Sequence, residues 1–474
     1  MDDMAFLSAH ELAHQVHRRT RSAEEVVAGA LARIAALDGE VNAFCALRPD
    51  EALAEARALD ARLGRGEDPG PLAGVPFGVK DEQDVAGLAT TFGSVPMRDF
   101  VPERDSTLVA RLRAAGAVPL GKTNMPEFGS TAFTKNRLFG LTRNPWNLER
   151  TPGGSSGGSS AAVAAGMVPL ATGGDGGGSI RIPAAYTGLV GLKATFGCVP
   201  RGPLFFRDFV DTVCRGPLTR TVRDAALFLD AVAGYDPLDP DSVPHPGRSF
   251  VADLDVPPQK LRIGYHPTLG YARVAPDVRR SVEAAVAALG AALGADVRTL
   301  DEPLVDAGLA WAMLNCFEQH AKLAPKIEAH RDEWGRGYLK GVEYGGRLTA
   351  ADFGTHQRTR LQLVEQLAGL FADVDVLLTP AVPTTAFAAA GPMPDEIDGQ
   401  RLASPLHAVA FSYPFNLSGH PAISVPIGLG DDGLPIGLQI VTERHTEHRL
   451  LRLARVCEQA VPFSERPAAP RAGT

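Results

Sequence analysis

The stretch from Thr151 to Arg181, TPGGSSGGSSAAVAAGMVPLATGGDGGGSIR, constrains this chain more than any other part of it. Two Gly/Ser clusters, one from Gly153 to Gly158 and one from Asp175 to Ser179, bracket a small apolar segment from Ala161 to Leu170. Runs of Gly and Ser usually make flexible linkers. Three features oppose that here. The clusters flank alanine-rich, helix-compatible sequence, the second carries Asp175 and is followed by Arg181, and Ile180-Arg181-Ile182-Pro183 resumes structure at once. Glycine permits positive φ and close backbone approach, so the stretch predicts a loop of N–H donors wrapped round a reacting atom.

The chain around it is long enough for a large core, with 474 residues of which 45% are hydrophobic. Its net charge of −8 is spread over interspersed residues of both signs. That leaves no basic stripe for nucleic acid and no basic amphipathic helix for a membrane. Five cysteines, Cys45, Cys198, Cys214, Cys316 and Cys457, show neither paired spacing for disulfides nor a CxxC metal pattern. The first residues, MDDMAFLSAHELAHQ, contain no apolar signal core, and no run of about 18 apolar residues follows, so a soluble cytoplasmic protein is expected. His10, His14 and His17 share a helical face but lack an accompanying Cys, Asp or Glu cluster, so they read as surface histidines.

Periodicity gives an α/β arrangement. Ser8 with Glu11 and Ser22 with Glu25 have capping-box spacing, predicting N-terminal helices within 1–65, one of them from Asp50 to Leu63. The run from Val75 to Val79 predicts a buried strand that delivers Lys80 at its end. Residues from Ser106 to Gly121 read as helix, turn and strand, and a Pro/Gly/Phe-rich loop is expected after Lys193 to about Leu218. Strand, helix and strand then follow at Leu261–Tyr265, Pro276–Leu293 and Val297–Leu300, the alternation of a parallel unit. A mostly helical region spans about 305–372. Strands are expected at Val374–Thr379, before Gly428 and at Gly433–Val441, with a closing helix from His448 to Glu458. No repeat and no linker divides the chain, which predicts one domain over 1–474.

The chemistry that these residue types suit is acyl transfer. It needs a nucleophile, a base that takes its proton and later protonates the leaving group, and donors for the developing oxyanion. Ser179 follows three glycines, so the N–H groups of Gly176, Gly177, Gly178 and Ser179 can converge without obstruction. Ser155, in the first cluster, offers a second hydroxyl. Lys80 ends an apolar strand, where desolvation can lower its pKa and leave it partly neutral, hence a base. Nothing local brings these three together.

The sequence resembles the amidase signature family, and the resemblance supplies that link. The matching pieces are Gly74 to Asp81, Gly121-Lys122-Thr123-Asn124, Asn144-Pro145-Trp146, Gly153 to Gly158, Asp175 to Pro183, Gly188 to Lys193, Asn416 to Gly428 and Gly433 to Gln439. They run from about residue 70 to 460, with a signature core at about 70–220. The resemblance implies the amidase signature fold, a large central mixed β-sheet covered by helices on both faces. It also implies a serine hydrolase of C–N bonds that needs no metal or cofactor. Ser179 would be the nucleophile, Ser155 a serine preceded by an unusual cis peptide bond, and Lys80 the ultimate base of a Lys80-Ser155-Ser179 relay. Gly176, Gly177 and Gly178 would form the oxyanion hole. Gly129 and Ser130 align with a loop lining the acyl pocket, and Cys316 falls in the helical region that walls it. Ser156 would support the Ser155 loop, while Asp175 and Arg181 read as a structural ion pair or loop anchors rather than chemistry. The implied partner is a small-molecule amide or carbamate (urethane), with esters also within the family's range. No nucleic acid or membrane is implied, and a homodimer is compatible with the sequence, which carries no signal of oligomeric state. Phe205, Phe206 and Phe209 suggest an apolar mouth and so an aryl or alkyl substrate.

Two alternatives stand beside this reading. One is the glutaminase subunit of a tRNA-dependent amidotransferase. Such relatives carry Ser-Ser-Leu-Asp-Gln where this chain has a Phe-rich segment from Phe205 to Thr212, and usually Gln at the position of Ile182. The other is an α/β-hydrolase-type esterase, because Gly153-Gly154-Ser155-Ser156-Gly157 also satisfies G-x-S-x-G. That elbow should follow a strand directly and requires a late histidine, for which His407 and His420 are the candidates.

Overall fold

The structure is a computed structural model and describes residues 4–204 and 210–468. In chain order its strands are β1 (Phe44–Leu47), β2 (Pro76–Lys80), β3 (Val118–Thr123), β4 (Lys135–Asn136), β5 (Gly140–Leu141), β6 (Leu170–Asp175), β7 (Val190–Lys193) and β8 (Cys214–Thr219). The second half adds β9 (Ile263–Tyr265), β10 (Val297–Thr299), β11 (Val376–Pro380), β12 (Glu396–Ile397), β13 (Gln400–Arg401), β14 (Ala422–Leu429) and β15 (Pro435–Thr442). Eleven of these form one sheet in the order β1-β3-β2-β6-β8-β7-β14-β15-β11-β9-β10. The sheet is mixed. β2 runs parallel to both β3 and β6, the centre from β6 through β8, β7, β14 and β15 to β11 is antiparallel, and β9 and β10 continue parallel to β11.

Successive residues of a strand point to opposite faces, and the core divides accordingly. Leu170 belongs to one apolar cluster, with Phe77, Val79 and the helices Val222–Val232, Pro276–Leu293 and Glu447–Ala460. Its neighbour Ala171 belongs to another, with the helices Ala23–Val41, Pro49–Gly64 and Gly157–Ala164. Helices therefore cover both faces, as the resemblance implied.

Local signals set the helix starts. Ser8 and Ser22 each accept from the N–H three residues on, and Glu11 and Glu25 reach back to the cap N–H groups. The helices expected at Asp50–Leu63 and His448–Glu458 run slightly longer, as Pro49–Gly64 and Glu447–Ala460, and Pro276–Leu293 forms over the expected span. The region 305–372 folds as three helices, Gly308–Ala329, Arg336–Gly345 and Ala350–Asp373.

One expectation is corrected. The loop read up to Leu218 ends earlier, because Cys214–Thr219 forms β8 between β6 and β7. Arg215, Gly216 and Pro217 break the apolar alternation that marks a strand, and Pro is rare inside a sheet. Phe205, Phe206 and Phe209 lie outside the described residues. Among the described residues no helix is long and apolar enough to cross a membrane.

Candidate active site

β2 and β6 lie side by side and parallel, and both Gly/Ser clusters are gathered at their carboxyl ends, where open α/β sheets bind ligands. The segment between the clusters is no linker. Every residue of the helix Gly157–Ala164 is buried, and it packs against β2, β3 and β6. Only small side chains fit there, which is why the sequence is Gly, Ser and Ala almost throughout.

Lys80, the last residue of β2, is fully buried. Its Nζ donates to Ser155 Oγ at 2.8 Å and to the Gly174 carbonyl at 3.1 Å, and lies 3.3 Å from Glu82 Oε1. Burial pushes the Lys80 ammonium below the ordinary lysine range; Glu82 opposes the shift and Arg215 adds to it. The peptide bond between Gly154 and Ser155 is cis. Ser156 ties the two clusters together: its N–H donates to Ser179 O at 3.2 Å, and its hydroxyl lies 3.3 Å from both the N–H and the carbonyl of Gly174.

Asp175 and Arg181 form the expected buried ion pair, with two contacts of 3.0 Å. Arg181 also donates to Asn416 Oδ1 at 2.6 Å and Gln439 Oε1 at 2.7 Å, so one side chain joins the loop to β15 and the helix Tyr413–Leu417. Burial alone would raise the Asp175 carboxyl, but Arg181 and then Lys193 hold it well below the usual carboxylate range.

The loop from Gly176 to Ser179 is pinned through its carbonyls. Asn416 Nδ2 donates to Asp175 O, Trp311 Nε1 to Gly176 O and Ser412 Oγ to Gly177 O, each at 2.7 Å. In a trans peptide the N–H opposes the carbonyl, so these bonds also fix the following N–H groups. The Gly178 N–H is not free for an oxyanion, because it donates to Asp175 Oδ1 at 2.7 Å. That corrects the expected donor set. Among the described residues the N–H groups of Gly176, Gly177 and Ser179 have no protein acceptor. Gly178 is required instead by its φ of 123°, and a Cβ there would lie 2.5 Å from Ser412 Cβ.

Ser155 and Ser179 open onto one cavity of about 350 Å³. Gly129, Ser130 and Cys316 line it, together with Gly176 and Gly177. Its other walls are largely apolar and include Phe128, Ile182, Trp311, Met393, Leu406 and Tyr413. Phe128 stacks between Phe92 at 5.2 Å and Tyr338 at 5.4 Å. Glu82 is the one charged side chain among the described residues lining the cavity. No histidine among the described residues lines it: His407 pairs with Asp306 at 2.8 Å, and His420 is buried against Phe371 and Ser418. The esterase alternative therefore lacks its base. Among the described residues no group of three His, Cys, Asp or Glu is placed to hold a metal ion.

Sequence reasoning missed Glu82, Phe128, Trp311 and Tyr413. Glu82 lies in the turn after β2, where strand alternation no longer says which way a side chain faces. Trp311 carried no signal, because its contact with Gly176 spans 135 positions of the chain.

With this site and sheet, the protein is an enzyme of the class that acts on amide C–N bonds. A family model described as Amidase matches residues 25–451, and the chain belongs to that family, the amidase signature enzymes. It is 41% identical to a glutamyl-tRNA(Gln) amidotransferase subunit from Acidothermus cellulolyticus, over 97% of this chain and 95% of the relative. The corresponding protein of a Synechococcus species is 40% identical over 95% and 96%. Among solved structures, a bacterial aryl acylamidase of the amidase signature family superposes with a TM-score of 0.92 and 32% identity, covering 97% of both chains.

Proposed function

We propose that this protein is a serine amidohydrolase whose substrates are neutral, apolar amides, with aryl or alkyl amides and carbamates foremost and aryl esters as further substrates. The observation that carries the reading is the 2.8 Å contact from Lys80 Nζ to Ser155 Oγ, at the wall of the cavity onto which Ser179 opens. Neutral Lys80 takes the proton of Ser155 as Ser155 takes that of Ser179. Ser179 Oγ then forms a bond to the carbonyl carbon, and the oxyanion is held by the N–H groups of Gly176, Gly177 and Ser179. The C–N bond breaks as the proton returns through Ser155 to the leaving amine. Water then attacks the acyl ester of Ser179, using the same relay. The chain's own nucleophile, proton relay and N–H donors cover each of these steps, so the reading calls for no cofactor.

The apolar lining supports a neutral substrate. Glutamine brings an α-carboxylate as well as an α-ammonium; Glu82 can face the ammonium, but among the described residues the lining holds no Lys or Arg for the carboxylate, and desolvating it without a partner is costly. The curated relatives favour a second reading, in which the chain hydrolyses glutamine as one component of an amidotransferase complex.

The test is product release from a matched anilide, N-aryl carbamate and aryl ester, with Ser179→Ala and Lys80→Ala as controls. Loss of turnover by about 10³-fold or more in both variants is expected. Near-normal turnover in either would remove it from the mechanism. If the free protein turns over none of the three, and glutamine only once partner proteins are supplied, the second reading replaces the first.

A further inference from the structure

Asp306 gathers three elements that wall the active site. Its Oδ1 accepts from the Gly308 N–H at 3.1 Å and from the Tyr413 hydroxyl at 3.2 Å, and its Oδ2 lies 2.8 Å from His407 Nε2. Gly308 opens the helix Gly308–Ala329, and Tyr413 opens the helix Tyr413–Leu417. His407 belongs to the 3-10 turn Pro405–Val409, whose Leu406 and Val409 line the cavity. The junction is tightly packed, since a Cβ on Gly308 would lie 3.0 Å from the Tyr413 hydroxyl oxygen.

Two of these elements carry the side chains that pin the nucleophile loop. Trp311, which donates to Gly176 O, lies three residues after Gly308, in the first turn of its helix. The first N–H groups of a helix have no partner within it, so this turn is held by whatever caps it. Ala307, at the cap position, has no side-chain acceptor, and Asp306 supplies one in its place. The helix dipole favours a carboxylate there. Ser412, which donates to Gly177 O, immediately precedes Tyr413. Its placement therefore follows from where the Tyr413 hydroxyl is held.

We propose that Asp306 is a positioning residue for the oxyanion hole: by fastening Gly308 to Tyr413 it sets Trp311 and Ser412 together, and through them the Gly176 and Gly177 carbonyls. The inference rests on the reading of the Gly176–Ser179 loop as the oxyanion hole, and extends it to a carboxylate that does not itself line the cavity. It also gives His407 a part, as the third donor of the junction. The Asp306 side chain is 40% exposed, so water can replace it at each freed donor but cannot act as their common anchor.

The experiment measures kcat and KM for an anilide in wild type, Asp306→Ala, Asp306→Asn, Trp311→Phe and the double variant Asp306→Ala/Trp311→Phe. Asp306→Ala is expected to lower kcat by about 10-fold while KM changes by less than about twofold, because the hole is aimed at charge that develops in the transition state. Asp306→Asn keeps an acceptor for Gly308 and Tyr413 and recovers most of that loss. Two independent effects of about 10-fold would multiply to about 100-fold, whereas the double variant should stay within about threefold of the worse single one, since both act on one carbonyl. Affinity for an aryl trifluoromethyl ketone, which places an oxyanion in the hole by adding to Ser179, falls in step with kcat. An unchanged kcat in Asp306→Ala, a loss confined to KM, an equal loss in Asp306→Asn, or full multiplication in the double variant overturns the inference. If Asp306→Ala does not fold, Tyr413→Phe, which removes one bond of the junction and keeps the ring, carries the test: kcat lower by about threefold at constant KM is expected, and an unchanged kcat overturns it. Ser179→Ala separates the two levels: an active Ser179→Ala removes the reading beneath, whereas an inactive one beside an unchanged kcat in Asp306→Ala sinks the inference alone.

Discussion

At the scale of single residues, the loop from Gly176 to Ser179 keeps its shape because other side chains hold its carbonyls. Trp311 is the most informative of these. Its Nε1 donates to Gly176 O while its ring walls the cavity and stacks on Tyr413 at 6.2 Å. Phenylalanine keeps most of the ring and loses the N–H. Trp311→Phe is expected to lower kcat for an anilide by about 10-fold with little change in KM, because the Gly177 N–H loses its aim in the transition state more than the pocket loses shape. A rise in KM at constant kcat would instead make Trp311 a wall of the pocket only. The sequence already displayed Lys80, Ser155 and Ser179, since each sits in a local context that is chemically unusual by itself. Trp311 and Glu82 take their meaning from contacts across the fold. The Gly178 N–H differs from the expectation for a related reason. Which N–H of a glycine run stays free depends on where the Asp175 carboxylate turns, and composition does not reveal that.

At the scale of elements, β6 and the turn after it depend on one buried network. Arg181 makes two bonds to Asp175 and one each to Asn416 and Gln439, so it ties the loop after β6 to the helix Tyr413–Leu417 and to β15. Arg181→Met would leave the Asp175 carboxylate buried without its hydrogen-bonded cation, with only the more weakly acting Lys193 remaining. Breaking such a pair from one side costs about 3–5 kcal/mol. Urea unfolding should show a loss of that order, with activity falling in parallel; an unchanged midpoint would mean that the network is dispensable. Most elements were readable because local signals agreed with tertiary demands. The capping boxes at Ser8 and Ser22 and the Pro276–Leu293 helix are examples. β8 was hidden because its pattern, CRGPLT, serves its neighbours rather than its own propensity: Arg215 reaches Glu82, and Gly216 lies where a Cβ would strike the Leu192 carbonyl.

At the scale of the whole molecule, the sheet order brings residues from distant parts of the chain to one cavity. β2 and β6 meet as parallel neighbours and supply Lys80 and the turn leading to Ser179. The helix Gly308–Ala329 supplies Trp311 and Cys316 from the other side. That convergence was not visible in periodicity. It came through resemblance to the family, because strand order in a mixed sheet is a property of the complete fold. The same architecture serves relatives as different as an aryl acylamidase and a component of glutamyl-tRNA(Gln) amidotransferase, so the chemistry of the cavity wall has to separate the readings. Enlarging Gly129, whose Cβ would lie 3.0 Å from Ser155 Oγ, should raise KM for a bulky anilide more than for acetanilide. Equal effects on the two substrates would place the acyl group elsewhere.

The central claim is the covalent step at Ser179, and the most direct measurement is intact-mass trapping with a slowly turned-over activated aryl carbamate, followed by peptide mapping. The expected result is a single carbamoyl adduct on the peptide carrying Ser179, formed with release of one equivalent of the aryl leaving group and absent in Ser179→Ala. An adduct on Ser155 or Cys316, or full turnover with no adduct in rapidly quenched samples, would contradict it.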